Sequence, residues 1–434
     1  MMVAVAAPKK SPERLPPAAS AAELAELRRH SIAGLSGLNF FVADMFTGFG
    51  PFITVYLTAN GWLPTDIGLV LSVATITAVA GQVPAGMLVD AVSQRRLLTA
   101  LGIAAVIVSA LVLAVFPERW PVIGSQVLLG LAGSLLTPSI AAMTLSLSRS
   151  DNLGQRLGGN VRYKALGSML TALLMGYIGT HFSTGSVFYV SALFGAIALA
   201  FLLMISGVDI RNAPHRTQHP AALPRHVLKE PLRRKRDIWR DPLLLTLSGC
   251  VFMFNLSNAA VLPFAISAIA AAGVKDTDLL VSVALMVSQA VVAIVSPRIG
   301  VLAHDRGRKF ILLTGFVALT LRCVLLAIWN GALSLVACQI LDGISAAAIG
   351  VMVPLIVADI THRGGRFNLG IGIVGLAVAG GATVSTTFAG FVTQHFGTRA
   401  AFICLGCAAA IGCMLVRVVL PETGHLHAPT AEKP

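Results

Sequence analysis

Gly86-Met-Leu-Val-Asp90-Ala-Val-Ser-Gln-Arg95-Arg96 is the only passage carrying charge between Ile67 and Val115. The apolar runs on either side, 66–89 and 97–116, are long enough to cross ~30 Å of hydrocarbon at ~1.5 Å per residue. Two membrane spans joined by a tight, basic turn are therefore predicted. The same passage returns later as Gly300-Val-Leu-Ala-His304-Asp305-Arg306-Gly307-Arg308-Lys309, again behind an apolar run.

The echo extends beyond the turns. Gly50-Pro51-Phe52 answers Leu262-Pro263-Phe264 at an offset of 212, and Gln126-Val-Leu-Leu-Gly130 answers Gln339-Ile-Leu-Asp-Gly343 at 213. Gly86-Met-Leu-Val answers Gly300-Val-Leu-Ala, and His181-Phe182 answers His395-Phe396, both at 214. Matches at nearly one offset mark an internal repeat. Apolar runs at 35–59, 66–89, 97–116, 121–146, 158–181 and 186–206 form a first set. A second set comprises 243–272, 278–301, 310–330, 332–360, 368–394 and 398–419. The expected fold is an all-α integral membrane protein of twelve transmembrane helices in two pseudo-symmetric six-helix bundles. Residues 35–206 and 243–419 form the bundles. An N-terminal tail (1–34), a central loop (207–242) and a C-terminal tail (420–434) complete the chain.

Composition agrees. The 434 residues are 56% hydrophobic and 12% charged, whereas soluble domains carry ~25% charged residues. The net charge of +13 is a matter of placement. Nearly all Lys and Arg fall on the side of the termini and even-numbered connections, with only Arg119, Lys275 and Arg399 opposite and Arg322 inside a span. Basic loops mark the cytoplasmic side, so both termini are expected in the cytoplasm of a plasma membrane, a bacterial inner membrane by type. The charge serves topology and lipid contact, and no nucleic-acid partner is expected. Residues 1–34 are polar, with Pro8, Pro12, Pro16 and Pro17 and no apolar core, so the first span is expected to act as an uncleaved signal. The six cysteines all lie in second-half spans. Cys404-x-x-Cys407 sits within an apolar helix without a second pair or a histidine, which favours small packing residues over a metal site.

The two turns resemble the signature loop of the major facilitator superfamily, Gly-x-Leu-Ala-Asp-Arg-x-Gly-Arg-Lys. The second copy has His304 in the Asp place and Asp305 in the Arg place; the first keeps Asp90 and the basic pair, with Ser93 for the second glycine. The resemblance spans 35–420 and implies a monomeric secondary transporter working by alternating access. It also implies a cytoplasmic gate made of Gly86, Asp90, Arg95, Arg96, Gly300, Asp305, Gly307, Arg308 and Lys309. Physically, Gly86 permits close helix approach. Asp90 can face the positive N-terminus of the span beginning near Gly370, while Arg95 and Arg96 can pair with Asp90 or lipid phosphate.

A charge deep in a span costs at least ~2.5–3.5 kcal/mol, which singles out Asp44, Arg322 and Asp342. Asp44 lies ~15 Å into span 1, among Asn39, Thr47 and the helix-loosening Gly48-Phe-Gly50-Pro51. Proton-coupled exporters resembling this chain carry an acid there, and Asp44 is expected to exchange protons. Arg322 and Asp342, at similar depth in antiparallel spans 9 and 10, can form a buried ion pair. Asn255 and Asn258 in span 7, with Gln82, Gln126, Gln289 and Gln339, are candidates for cavity lining. Arg162 and Lys164, at the start of span 5, read as snorkelling cytoplasmic anchors. Drug antiporters of the family carry an arginine where Gln126 stands and a Gly-Pro motif in span 5; both are missing here.

The leading expectation is proton-coupled efflux of a small organic solute such as a drug, secreted metabolite or metal chelator. Proton symport into the cell is the alternative, and a transporter-like sensor a remote one. No Gly-x-Ser-x-Gly, His-Glu-x-x-His or P-loop occurs. The protein is thus expected to be no enzyme, to need no cofactor or metal, and to draw on an ion gradient, H⁺ in preference to Na⁺.

Overall fold

The computed structural model describes residues 21–47, 53, 56–57, 60–62, 64–92, 94–148, 152–181, 185–206, 240–271, 277–329, 331–361 and 366–423. Among these residues all the regular secondary structure is helical. The first half contains α1 (Ala21–Thr47), α2 (Pro64–Ala91), α3 (Arg95–Val115), α4 (Arg119–Leu147), α5 (Leu153–His181) and α6 (Ser186–Leu203). The second contains α7 (Pro242–Asn258), α8 (Val261–Ala271), α9 (Thr277–Asp305), α10 (Arg308–Ile328), α11 (Ala332–Thr361), α12 (Phe367–Phe396) and α13 (Thr398–Val418). Ten spans among the described residues are long and apolar enough to cross a membrane. α1 and α5 are more polar, and they complete the two sets of six by packing against each other and into the bundle.

α7 and α8 are one span interrupted near its middle. Asp241 caps the start of α7, accepting from the N–H groups of Leu243 (2.9 Å) and Leu244 (3.4 Å), with Pro242 in the first turn. Pro263 lacks the N–H that would bond the Ala259 carbonyl, so the ladder breaks there. The Ala260 N–H stays satisfied through Ser385 Oγ of α12 at 3.1 Å. Internal prolines also fall in matching spans of the halves: Pro84 and Pro297 in α2 and α9, Pro138 and Pro354 in α4 and α11.

Packing repeats the sequence symmetry. α2 packs on α4 as α9 packs on α11; α3 on α6 as α10 on α13; α1 on α5 as α7 on α12. Each half has its own apolar core, around Leu38, Ile103, Met143 and Phe188 in the first and Cys250, Phe316, Met352 and Phe402 in the second. The halves meet where α5 crosses α9 and where α2 crosses α12. Helices approach this closely in lipid only through small residues. Gly154 and Gly158 of α5 lie against the backbone of Gly300 and Ser296 of α9. In the other crossing, a Cβ on Gly86 would stand 2.5 Å from the Asn368 carbonyl oxygen, and one on Gly372 would stand 2.7 Å from that of Gln82.

These crossings lie toward the side that carries the charged turns, called here the basic face. At the far face, Trp120, Trp329 and Phe396 are strongly exposed at helix ends, where aromatic rings favour the membrane–water boundary. There Arg119 pairs with Asp66 at 2.5 Å.

Candidate functional site

At the basic face, α12 begins without a capping side chain of its own, leaving its first N–H groups to be met from elsewhere. Asp90, at the end of α2 in the other half, meets them. It accepts from the N–H groups of Asn368 (3.3 Å) and Leu369 (2.9 Å) and from Asn368 Nδ2 (2.7 Å). The carboxylate faces the positive end of the helix dipole, and the contact ties the two halves together. Removing it with Asp90→Ala is expected to cost the closed basic face about 1–2 kcal/mol. Hydrogen exchange of the amides of residues 368–369 should then accelerate severalfold. Unchanged exchange would mean that the carboxylate does not hold this turn.

The hydrogen bonds of the two arginines in the first turn go to other helices. Arg95 donates to the Ala142 carbonyl (3.3 Å) and to Ser146 Oγ, and Arg96 to the Leu203 carbonyl (3.4 Å). Neither hydrogen-bonds Asp90, whose oxygens are taken up by α12, although Arg95 lies near enough for its charge to attract that carboxylate. Asp305 is exposed at the end of α9 and, among the described residues, brings no carboxylate to the start of α5. Gly307, with φ +90, makes the turn into α10. Arg308 pairs with Asp359 at 3.1 Å and donates to the Ala303 carbonyl at 3.1 Å.

Three participants escaped the sequence reading: Asp359, Glu422 and Thr423. Glu422, just past α13, caps α10 by accepting from the N–H groups of Arg308 (2.9 Å) and Lys309 (3.1 Å). Thr423 donates to Asp359 at 3.1 Å. An available signal was acid on an otherwise basic face, since Asp359 and Glu422 each end a span there.

Within the spans, Arg322 of α10 and Asp342 of α11 form an ion pair. Arg322 is 1% exposed and Asp342 18%. Arg322 also donates to Asn258 Oδ1 at 2.7 Å, and weakly to Gln339 Oε1 at 3.5 Å. The second oxygen of Asp342 accepts from Ser288 of α9 at 2.6 Å. Four spans thus converge on one pair, and Asn258 is the last residue before the break between α7 and α8. The carboxylate bridges α9 to α10 and retains an accessible edge, so its charge state bears directly on how these helices hold together.

Of the neutral candidates, Asn258 and Gln339 meet at Arg322, and the others are dispersed. Asn39 and Asn255 donate to carbonyls of their own helices, Leu35 at 2.8 Å and Val251 at 2.9 Å. Gln126 is buried within the first half, 3.4 Å from Ser125 Oγ. Gln82 lies in the α2–α12 crossing against Gly372 and Gly375, its side-chain oxygen buried without a partner. Gln289 is half-buried on α9. Asp44 falls within α1, but its side chain, like residues 48–52, lies outside the described residues.

Lys164 departs from the anchor expectation. On α5, Asn160 donates to Thr144 of α4 at 2.7 Å, while Val161 packs against Gly350 of α11. Positions three and four residues on share a helix face, so Lys164 stands directly above both and enters the space between α4 and α11. Its side chain is exposed, so it faces open space between these helices and not a packed core. Exposure between a helix of each half places it in the space that the halves enclose above their closure, a recess between them.

Two symmetric six-helix halves, closed against each other at one face and charged within the spans, define a polytopic membrane transporter. The chain belongs to the Major Facilitator Superfamily, whose family model matches residues 35–319 and 247–434. It is a membrane transporter and not an enzyme. Uncharacterised MFS-type transporters from two strains of Mycobacterium tuberculosis, CDC 1551 / Oshkosh and ATCC 25618 / H37Rv, are each 32% identical over 392 residues. Those alignments cover 89% of this chain and 92% of each relative. Among solved structures, the human organic anion transporter MFSD10 (TETRAN) superposes with a TM-score of 0.66 at 15% identity, covering 90% of this chain and 99% of that one. FucP in the outward conformation gives 0.64 at 15% identity, covering 89% and 97%.

Proposed function

We propose that this protein exports a small organic solute, such as a drug, a secreted metabolite or a metal chelator, in exchange for protons. It does so as a monomer in the bacterial plasma membrane, with the basic face and both termini in the cytoplasm. No cofactor or metal takes part, and no nucleic acid is bound. The observation that supports the reading best is the Arg322–Asp342 pair, a charged group whose edge reaches solvent within the membrane spans. Protonating Asp342 removes its attraction for Arg322 and leaves the guanidinium to Asn258 and Gln339. The α9–α10–α11 contact then weakens beside the break between α7 and α8. Asp44 supplies the proton-exchanging acid of the first half. The described contacts between halves lie toward the basic face, as in a transporter open to the outside, and the Asp90 cap acts as a latch that releases when the halves rock. Uphill movement draws on the proton gradient.

The test is mass-spectrometric profiling of solutes inside and outside energised cells carrying the wild type, Asp44→Asn, Asp342→Asn or empty vector. A compound depleted inside only by the wild type is the expected result, with either Asn variant lowering the gradient at least tenfold. Enrichment inside would overturn export and favour symport. Wild-type behaviour of both variants would remove protons from the mechanism. Absence of any wild-type-dependent solute movement, with the protein present in the membrane, would favour a sensor.

A further inference from the structure

Lys164 is a cation in search of an anion. Arg322 is matched by Asp342 and Arg308 by Asp359, but no hydrogen bond or ion pair joins Lys164 to another described residue. Arg162, two positions earlier, is ~200° round the helix and faces elsewhere.

The position of Lys164 is also distinctive. The α5–α9 crossing at Gly154 and Gly158, and the Asn160–Thr144 bond, all lie toward the basic face from it. Lys164 is therefore on the floor of the recess, immediately above the closure. Counting residues outward from the Val161–Gly350 contact puts Asp342 only ~7 Å higher along the axis, within the span of a solute. One turn above Lys164, on α4, Thr137 is exposed and offers a hydroxyl. The core around the floor is apolar: Leu157 and Ala165 of α5 are buried in it beside Met352 and Leu355 of α11.

We infer that Lys164 is the substrate-recognition residue for the anionic group of an organic monoanion, such as a carboxylate with an apolar body. This rests on the transporter reading above and names its substrate class. One ammonium at the base of an apolar recess selects a single negative charge, because a second would meet no other unpaired cation beside it among the described residues. When the solute is absent, water reaches the ammonium; when it binds, the carboxylate replaces that water and the apolar body fills the recess. A neutral isostere leaves the ammonium without its anion, which is how such a site discriminates.

The experiment uses the purified full-length chain in nanodiscs and equilibrium binding, which requires neither coupling nor a direction. The probes are three matched aromatic series: naphthoate and benzoate, their amides, and the corresponding benzylic amines. The wild type is expected to bind the carboxylates above the amides and amines. Lys164→Gln should weaken carboxylate binding by about 10- to 100-fold and leave amide binding unchanged. Lys164→Arg should retain the carboxylates, and Lys164→Glu should favour the amines. Thermal unfolding near that of the wild type excludes misfolding as the cause. Repeating the titration in discs of neutral lipid and of lipid containing phosphatidylglycerol separates solute from headgroup. Carboxylate binding that survives the anionic lipid supports a solute site, and its abolition overturns one. A wild type that takes none of the carboxylates, or a Lys164→Gln variant that binds them equally well, also overturns the inference. Carboxylate binding without proton-driven export would instead remove the coupling reading and leave Lys164 in place. Export confined to neutral solutes would do the reverse.

Discussion

Asp342→Ala is expected to abolish coupled transport and to cost the second half about 3–5 kcal/mol of stability. Arg322 is almost wholly buried and Asp342 is its anion. Asn258 and Gln339 can accept from the guanidinium but cannot neutralise it. Arg322 Nε already lacks a partner, so the loss of the carboxylate leaves a buried charge with neutral acceptors alone. Ser288 loses its acceptor as well, and α9 is released from α10. Asp342→Asn should behave differently, because it keeps an oxygen for Arg322 and nearly the same volume. It should fold close to wild type while exchange loses its pH dependence. Replacing both members, Arg322→Met with Asp342→Leu, should recover most of the lost stability and none of the transport. Thermal unfolding in detergent and exchange in proteoliposomes read the two effects separately. A thermally unaltered, fully active Asp342→Ala protein would show that the pair neither holds the half together nor couples anything.

The second large effect concerns closure. Gly300→Leu should displace the population from the conformer closed at the basic face and lower transport at least tenfold. Gly300 and Gly154 meet backbone to backbone, and a Cβ on either would overlap the other's carbonyl. Neither backbone can yield as the end of a flexible side chain would. Overpacking of this kind costs ~1–3 kcal/mol, and about 2 kcal/mol changes a two-state ratio roughly 30-fold. Spin labels on the basic-face ends of α5 and α9 should report a longer distance, while each half keeps its own packing. An unchanged distance distribution would mean that the crossing is not where the halves close. Gly86→Leu is the symmetric control, since its Cβ would meet the Asn368 carbonyl at 2.5 Å.

Both effects reach back to features of different legibility. The twelve spans, their grouping into halves and the family followed from apolar length and a repeat at a constant offset, which are properties of the chain itself. Arg322 and Asp342 stood out because charge within an apolar run is costly and two antiparallel spans equalise depth. The turn residues were harder to assign. Asp90 bonds the start of α12, 278 positions away, whereas Arg95 bonds α4 and Arg96 the end of α6, because tertiary packing decides which acceptors a guanidinium reaches. Asn39 and Asn255 looked like cavity residues by position, and the Nδ2 of each donates to a carbonyl one turn back in its own helix, a bond that position alone does not show.

Lys164 shows most clearly what only the tertiary structure decides. Near the mouth of a span, a lysine has the composition of an anchor, and periodicity alone does not say whether its face meets lipid or protein. The answer came from its neighbours, Asn160 against α4 and Val161 against α11, which turn that face into the space between halves. The same holds for Glu422, an unremarked acid until α13 delivers it to the start of α10. By itself the sequence determined that the chain must span a membrane, how often, and in what symmetry, because burying apolar length is a one-dimensional requirement. Which charges meet, and which is left facing solvent, depended on where helices distant in the chain cross, because electrostatic partners are chosen by distance in space.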